Sequence, residues 1–170
     1  DVTYEYIKGK PKAPKAAEFE MAVNYSIDQV LAQQPDALLV LASYNYQRHS
    51  TPLVISKLRE LKNHIAVLGG LDSGAYPLAK AKLLNGYKAT IHWAELETFS
   101  EQFRQVETCN NRYVIDRGRI TSGGATTALD LMLSIIASDF GKEIAIAVSD
   151  LLIFDTFLDQ YLPHNQKPKH

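Results

Sequence analysis

Between Ile65 and Leu84, the apolar segment Ile65-Ala66-Val67-Leu68 runs into Gly69-Gly70-Leu71-Asp72-Ser73-Gly74 and then directly into a helix-forming run from Ala75. A buried strand, a turn with glycines on both sides of one polar residue, and a helix with no intervening loop form the context of a nucleophile elbow. In such a turn one side chain projects above a sheet, and the flanking residues must be small because neighbouring backbone crowds the turned residue. Backbone N–H groups at the start of the following helix favour a negative charge or a polarised oxygen there. In an enzyme the apex would be Ser or Cys; here it is Asp72.

The residues leave three roles open for Asp72. It can be a turn former or helix N-cap, which suits Asp in strained turns. It can be a nucleophile that makes a covalent ester, which also requires a general base. It can be a fixed negative charge that receives a cationic ligand.

The rest of the chain alternates strand and helix. Strands are expected at Val2–Lys8, Phe19–Val23, Ala37–Leu41, Ile65–Leu68, Lys88–Ile91, Arg112–Ile115 and Arg119–Ile120. Helices are expected at Ser26–Gln34, from Thr51-Pro52 through Leu61, at Ala75–Leu84, Ala94–Phe103, Ala125–Phe140 and Glu143–Phe157. Gly9–Ala17 and Ser43–Ser50 read as loops, Gly69–Gly74 as a tight turn, and the tail from Pro163 as polar. Thr51 before Pro52 is an N-cap followed by proline at the first helical position. The continuous apolar run Ala37-Leu38-Leu39-Val40-Leu41 fits a parallel strand covered on both faces. The alternation therefore predicts an α/β sandwich, flavodoxin-like, three-layered, with a mostly parallel sheet.

Ligand sites in such folds lie at the carboxyl ends of the strands. That rule groups Ser43–His49, Gly70–Gly74 and Thr121–Thr126 on one rim. The candidate ligand-binding residues are Asp72, Ser73, His92, Trp93, Tyr44, Asn45, Tyr46, Ser122 and Gly123. Trp93 and the tyrosines offer faces for a cation, as in cages for quaternary ammonium groups. Ser122, Gly123 and Gly124 precede a helix and offer backbone donors to a ligand carboxylate. For each there is a plainer role: local capping for His92, core packing for Trp93, a surface loop for the tyrosines and tight strand–helix packing for the glycines. Glu95 reads as a first-turn carboxylate, and Asp130 as an acid that pairs internally or faces the crevice.

Composition narrows the function classes. With 18 basic and 19 acidic residues in 170, the net charge is -1, which lacks the footprint of a stand-alone nucleic-acid binder. Cys109 is the one cysteine, so neither a disulfide framework nor an all-cysteine zinc site can be built, and it reads as incidental. His49, His64, His164 and His170 show no metal spacing. Lys8, Lys10, Lys12 and Lys15 read as a solvated loop. No apolar run approaches the roughly 20 residues that span a bilayer. The expectation is a soluble, cytoplasmic domain with no cofactor and no metal.

From Asp36 onward the chain resembles the PfpI-like, class I glutamine amidotransferase-like domain found at the N-terminus of certain AraC/XylS-family transcriptional regulators. The resemblance rests on Gly69–Ala79, on Leu83–Trp93 (LLNGYKATIHW), on Phe99, Phe103 and Asp116-Arg117, and on Ile120–Leu133, which contains TSGGATTALDLML. It implies a small-molecule effector, a zwitterionic or cationic nitrogen metabolite such as glycine betaine, carnitine or arginine, and a homodimer. It implies a sensing domain over residues 1–162 and a tail, 163–170, leading to a helix-turn-helix domain that carries the DNA contacts. The family's first strand and helix find no match here, nor does the Glu that follows that strand in enzymatic relatives. Those enzymes carry Cys at the elbow, commonly followed by His, where this chain has Asp72 and Ser73. The resemblance thus favours a non-catalytic domain whose pocket has lost its thiol. The alternative it leaves open is a hydrolase or amidotransferase-like enzyme using Asp72.

Overall fold

A computed structural model describes residues 15–16, 19–20, 25–33 and 35–154. The strands are β1 (Lys15–Ala16), β2 (Phe19–Glu20), β3 (Ala37–Ala42), β4 (Val67–Asp72), β5 (Lys88–Ala89), β6 (Glu107–Thr108), β7 (Tyr113–Asp116) and β8 (Arg119–Ser122). The helices are α1 (Ile27–Ala32), α2 (Tyr46–His49), α3 (Pro52–Leu61), α4 (Ala75–Lys80), α5 (Leu96–Gln102), α6 (Ala125–Phe140) and α7 (Lys142–Leu151). A 3₁₀ turn, Trp93–Glu95, leads into α5.

The main sheet has the order β3-β4-β8-β7. β3, β4 and β8 run parallel, and β7 is antiparallel to β8. Side chains alternate across it, as the two-residue period requires. Val40 and Leu68 join Val54, Leu58 and Leu61 of α3 and Leu78 of α4 in the larger core. Leu39, Val67, Leu71 and Ile120 face the other way and pack with Leu131 and Ile135 of α6. Helices thus cover both faces, as a predominantly parallel sheet demands. The short β5–β6 pair joins the main sheet through Thr90, whose N–H donates to Thr121 Oγ1 at 2.9 Å and whose hydroxyl donates to Asn111 O at 2.9 Å.

The helix starts read from sequence hold at α3 and α6. Thr51 Oγ1 accepts from Val54 N at 3.3 Å, with Pro52 at the first helical position. Other boundaries move. The strand expected at Ile65–Leu68 runs instead from Val67 to Asp72, so Gly69 and Gly70 belong to the sheet rather than to a turn. Each glycine pairs with both neighbouring strands: Leu39, Gly69 and Ile120 align, as do Val40, Gly70 and Thr121. The helix expected to reach Leu84 ends at Lys80, because Lys82 turns the chain at φ 63 and Leu83 N–H closes back on Leu78 O at 2.9 Å.

The loop expected at Ser43–Ser50 contains the single helical turn α2, closed by Ser50 N–H and Ser50 Oγ, both donating to Tyr46 O. Lys15–Ala16, expected within a loop, pairs antiparallel with Phe19–Glu20. β6 is too short for any periodicity to reveal. α7 stops at Leu151, where Leu152 N–H returns to Val148 O. The strand expected at Val2–Lys8, the far end of the last helix at Phe157 and the tail from Pro163 lie outside the described residues.

The elbow sets the sharpest steric limit. A Cβ on Gly74 would lie 1.9 Å from Val40 O, and one on Gly70 would lie 2.5 Å from Ala75 N. Both contacts are with backbone, which cannot swing aside. Gly74→Ala should therefore cost about 3 kcal/mol in urea unfolding, at the upper end of overpacking effects. Gly124→Ala is the control: its Cβ meets nothing within 4 Å, and the change should stay within about 0.5 kcal/mol.

Candidate functional site

β4 delivers Asp72 to the carboxyl end of the sheet in the left-handed region, at φ 56. The turn is closed by Ser73 N–H donating to Ala42 O and Gly74 N–H to Leu71 O, both at 2.9 Å. A left-handed apex is what lifts a side chain clear of the strand, and Asp tolerates it better than most residues. Ser73 is buried beneath the apex. The Asp72 carboxyl is partly buried, and burial raises its pKa above the ordinary value; the nearby charge of His92 and a hydrogen bond with Ser43 oppose that rise. Three chain segments therefore meet here: the end of β3 with Ser43, the elbow with Asp72, and the segment after β5 with His92.

His92 caps the 3₁₀ turn, its Nδ1 accepting from Ala94 N at 3.3 Å. The Trp93 ring lies 5.4 Å from the His92 ring at a 37° tilt, and 40% of Trp93 is exposed. Trp93 is thus a surface aromatic beside the elbow rather than a core residue.

The loop after β3 does not present its aromatics together. Tyr44 is 90% exposed and Asn45 is the left-handed residue, φ 63, that starts α2. Tyr46 turns inward: its ring packs edge-on against Tyr76 at 4.8 Å, and its hydroxyl donates to Glu95 Oε2 at 2.5 Å. Burial and the Glu95 carboxylate both push the Tyr46 pKa well above its ordinary value. A face of Tyr46 is therefore not available to a ligand; the residue instead fastens α2 to the turn that carries His92 and Trp93.

Ser122 and Gly123 differ from their expected role for a similar reason. Ser122 is wholly buried as the last residue of β8, and its Oγ has no partner among the described residues. The Gly123 N–H is taken by Arg112 O at 3.0 Å, because β7 and β8 extend the sheet beyond the expected strand end. Asp130 takes the internal option: Arg112 Nη2 and Nε both donate to its Oδ2, at 2.5 and 3.1 Å. Cys109 is partly buried, and burial raises its pKa, which disfavours a reactive thiolate.

Sequence reasoning did not single out Ser43 as the partner of Asp72, nor the Tyr46–Glu95 bond. Only the position of Ser43 directly after an apolar strand pointed to it. A small hollow of about 30 Å³ beside Ser43 is lined by Ala42, Tyr44, Tyr46, His49 and Pro77. Two larger hollows, of about 450 and 410 Å³, lie elsewhere, against Lys82–Arg104 and between α6 and α7. Among the described residues no three His, Cys, Asp or Glu side chains gather as a metal site, and no helix is long and apolar enough to cross a membrane.

Residues 3–138 match the model of the DJ-1/PfpI family. The chain is 36% identical over 140 residues to the HTH-type transcriptional regulator CdhR of Pseudomonas aeruginosa, covering 82% of this chain and 42% of that protein. It is 38% identical over 105 residues to the HTH-type transcriptional regulator ArgR of the same organism, covering 62% of this chain and 32% of that protein. The chain thus spans less than half the length of these curated relatives. Among solved structures it is similar to an AraC family transcriptional regulator from Pseudomonas putida, with TM-score 0.64, 26% identity, and coverage of 79% of this chain and 71% of that one. Drosophila melanogaster DJ-1beta shares the fold, with TM-score 0.71, 19% identity, and coverage of 91% and 88%.

The buried carboxylate has a consequence for stability. Folding raises the pKa of Asp72, so the folded chain binds its proton more tightly than the unfolded one. This residue's contribution to stability then falls as pH rises through the acid range, from the ordinary carboxylate value to the raised one. Asp72→Asn keeps a side chain that accepts a positive φ and removes the charge. It should raise the melting temperature at pH 7, and the gain should shrink towards zero below about pH 4, where the carboxyl of the parent chain is already neutral.

Proposed function

Because the chain belongs to the DJ-1/PfpI family and carries an aspartate where elbow chemistry calls for a thiol or hydroxyl, we propose that it is the non-catalytic effector-sensing domain of an AraC-type transcriptional regulator. DNA is then read by a separate helix-turn-helix domain, in keeping with the names of the relatives and the balanced charge of these residues. The effector is a small nitrogen metabolite bearing a positive charge, with a carboxylate as its other end. The regulator works as a homodimer, a reading taken from the family; a purely monomeric mass in sedimentation would remove it.

One observation supports this most: Asp72 holds a partly buried carboxylate, disfavoured by burial, at the apex of a strained turn on the ligand-binding rim. A carboxylate whose burial outweighs its partners is a cost to the fold, and a cationic ligand offsets it. Trp93, exposed beside it, adds a surface on which a cation gains about 0.5–2 kcal/mol.

A second reading has its own support. His92 lies close enough to Asp72 to act on its charge, so an aspartate nucleophile would have a candidate base. On an amide or ester the Asp72 carboxylate would attack the carbonyl, forming an acyl anhydride as the amine or alcohol leaves, and a water deprotonated by His92 would hydrolyse that anhydride and restore the carboxylate.

A thermal-shift screen of amino acids, betaines and polyamines separates the two. Any compound that binds the folded chain raises its apparent stability by RT ln(1 + [L]/Kd). Positively charged nitrogen compounds should raise it, Asp72→Ala should weaken them at least about tenfold, and Cys109→Ser should leave them unchanged. Amide and ester substrates should not turn over. Turnover that vanishes in Asp72→Asn, with an acyl adduct trapped on Asp72, establishes the enzyme instead.

A further inference from the structure

Resting on the homodimer reading above, we infer that the second copy docks on the outer face of α7, the two helices running antiparallel about Ile146.

α7 has the sequence Lys142-Glu143-Ile144-Ala145-Ile146-Ala147-Val148-Ser149-Asp150-Leu151. Five consecutive apolar residues, 144–148, span more than one turn, so the centre of the helix has no polar side. A helix that is apolar all round belongs in an interior. α7 is covered on one side only. It packs on α6, and Ala145 and Ser149 are buried, whereas Ile144 is 49% and Ile146 58% exposed. Phe140 before the helix and Leu151, Leu152 and Ile153 at its end are each more than half exposed. Single apolar residues on a surface are ordinary, but a contiguous group of this kind marks an interaction site.

The charges of the helix select the partner. Lys142, Ile146 and Asp150 recur at four-residue intervals, which places them on one side of α7. All three line the same hollow of about 410 Å³, together with the small side chains of Ala137, Ala145 and Ser149. Lys142 and Asp150 are exposed, and neither forms an ion pair among the described residues. This face is therefore positive, apolar and negative in turn along about 12 Å of helix.

Turned end for end about Ile146, that pattern is its own complement. Lys142 of each copy meets Asp150 of the other, and the two isoleucines meet at the axis. A closed two-fold contact requires such a self-complementary patch. A parallel pairing would set lysine on lysine and aspartate on aspartate. The small side chains beside Ile146 leave the hollow open, which gives the other copy's isoleucine a place to enter.

Sedimentation equilibrium of the 170-residue chain across a concentration series tests this. The parent chain should be a dimer. Ile146→Asp should weaken it at least about thirtyfold, because it sets two carboxylates at the axis, and should leave the far-UV circular dichroism unchanged. Lys142→Glu and Asp150→Lys should each weaken self-association about tenfold. Mixed together, these two variants should pair as tightly as the parent, since each face then meets one of opposite charge. A parent dimer that neither Ile146→Asp nor the charge reversals weaken overturns the inference and leaves the homodimer on another surface. Charge variants that do not recover on mixing overturn the antiparallel pairing. A monomeric parent overturns both the inference and the homodimer. Thiol labelling of Ile146→Cys in a Cys109→Ser background then reads what covers α7: slow labelling means the chain's own residues after 154, and fast labelling a different partner. The effector reading is decided separately, by the thermal-shift screen.

Discussion

At Gly74 the polypeptide passes so close to the Val40 carbonyl that no side chain fits between them. This approach lets α4 begin immediately where β4 ends, with Gly70 admitting the backbone of Gly74 and Ala75 from beneath. Asp72 must then absorb the reversal in a left-handed conformation, φ 56. The adjoining parts of the site refer to this fixed point. β3 ends beside it and brings Ser43. The segment after β5 reaches it with His92, anchored lower down by the buried Thr90–Thr121 bond.

The rim is held by polar contacts laid over an aromatic base. Tyr46, Tyr76, Phe103 and Phe99 form a chain of rings across α2, α4 and α5, with successive centroids 4.8, 5.3 and 5.1 Å apart. Aromatic pairs of this kind add about 0.5–1.5 kcal/mol each beyond their buried area. On that base, the Tyr46 hydroxyl reaches Glu95 and ties α2 to the turn before α5. On the other face of the sheet, the buried Arg112–Asp130 pair secures the start of α6 to the strand edge. Breaking a buried pair of this kind by removing one partner costs about 3–5 kcal/mol. The two faces are thus braced independently around one apex.

The apex itself is electrostatically unfavourable. Burial of the Asp72 carboxylate outweighs what His92 and Ser43 return to it, so the apex weakens the fold that positions it. Stability surrendered at a point of backbone strain is the usual mark of a place kept for a ligand rather than for packing. On the proposed reading, a carboxylate stands where a nucleophile would, and the elbow serves to hold a cation.

Much of this was open to reading in the chain. The alternation of apolar runs and helical segments specifies an α/β sandwich, because each strand must be covered on both faces. The glycines around Asp72 specify a sharp turn, because a side chain on Gly70 or Gly74 would run into backbone. The start of α3 is written in Thr51-Pro52, and that of α6 in the glycines before Ala125. What the chain could not express is which polar groups find one another. Gly69 and Gly70 looked like turn residues because their conformational freedom is local, whereas their place in the sheet is decided by partners on β3 and β8. Tyr46 looked like a cage residue because a strand-end loop is normally exposed; only the packing of α2 against α4 turns it inward. The bond from Tyr46 to Glu95 spans 49 positions, and the Gly123 amide is claimed by a carbonyl on another strand. Hydrophobic patterning is a local property and determined the architecture. Hydrogen-bond pairing across the chain depends on which surfaces that architecture brings into contact, and only the tertiary structure decided it.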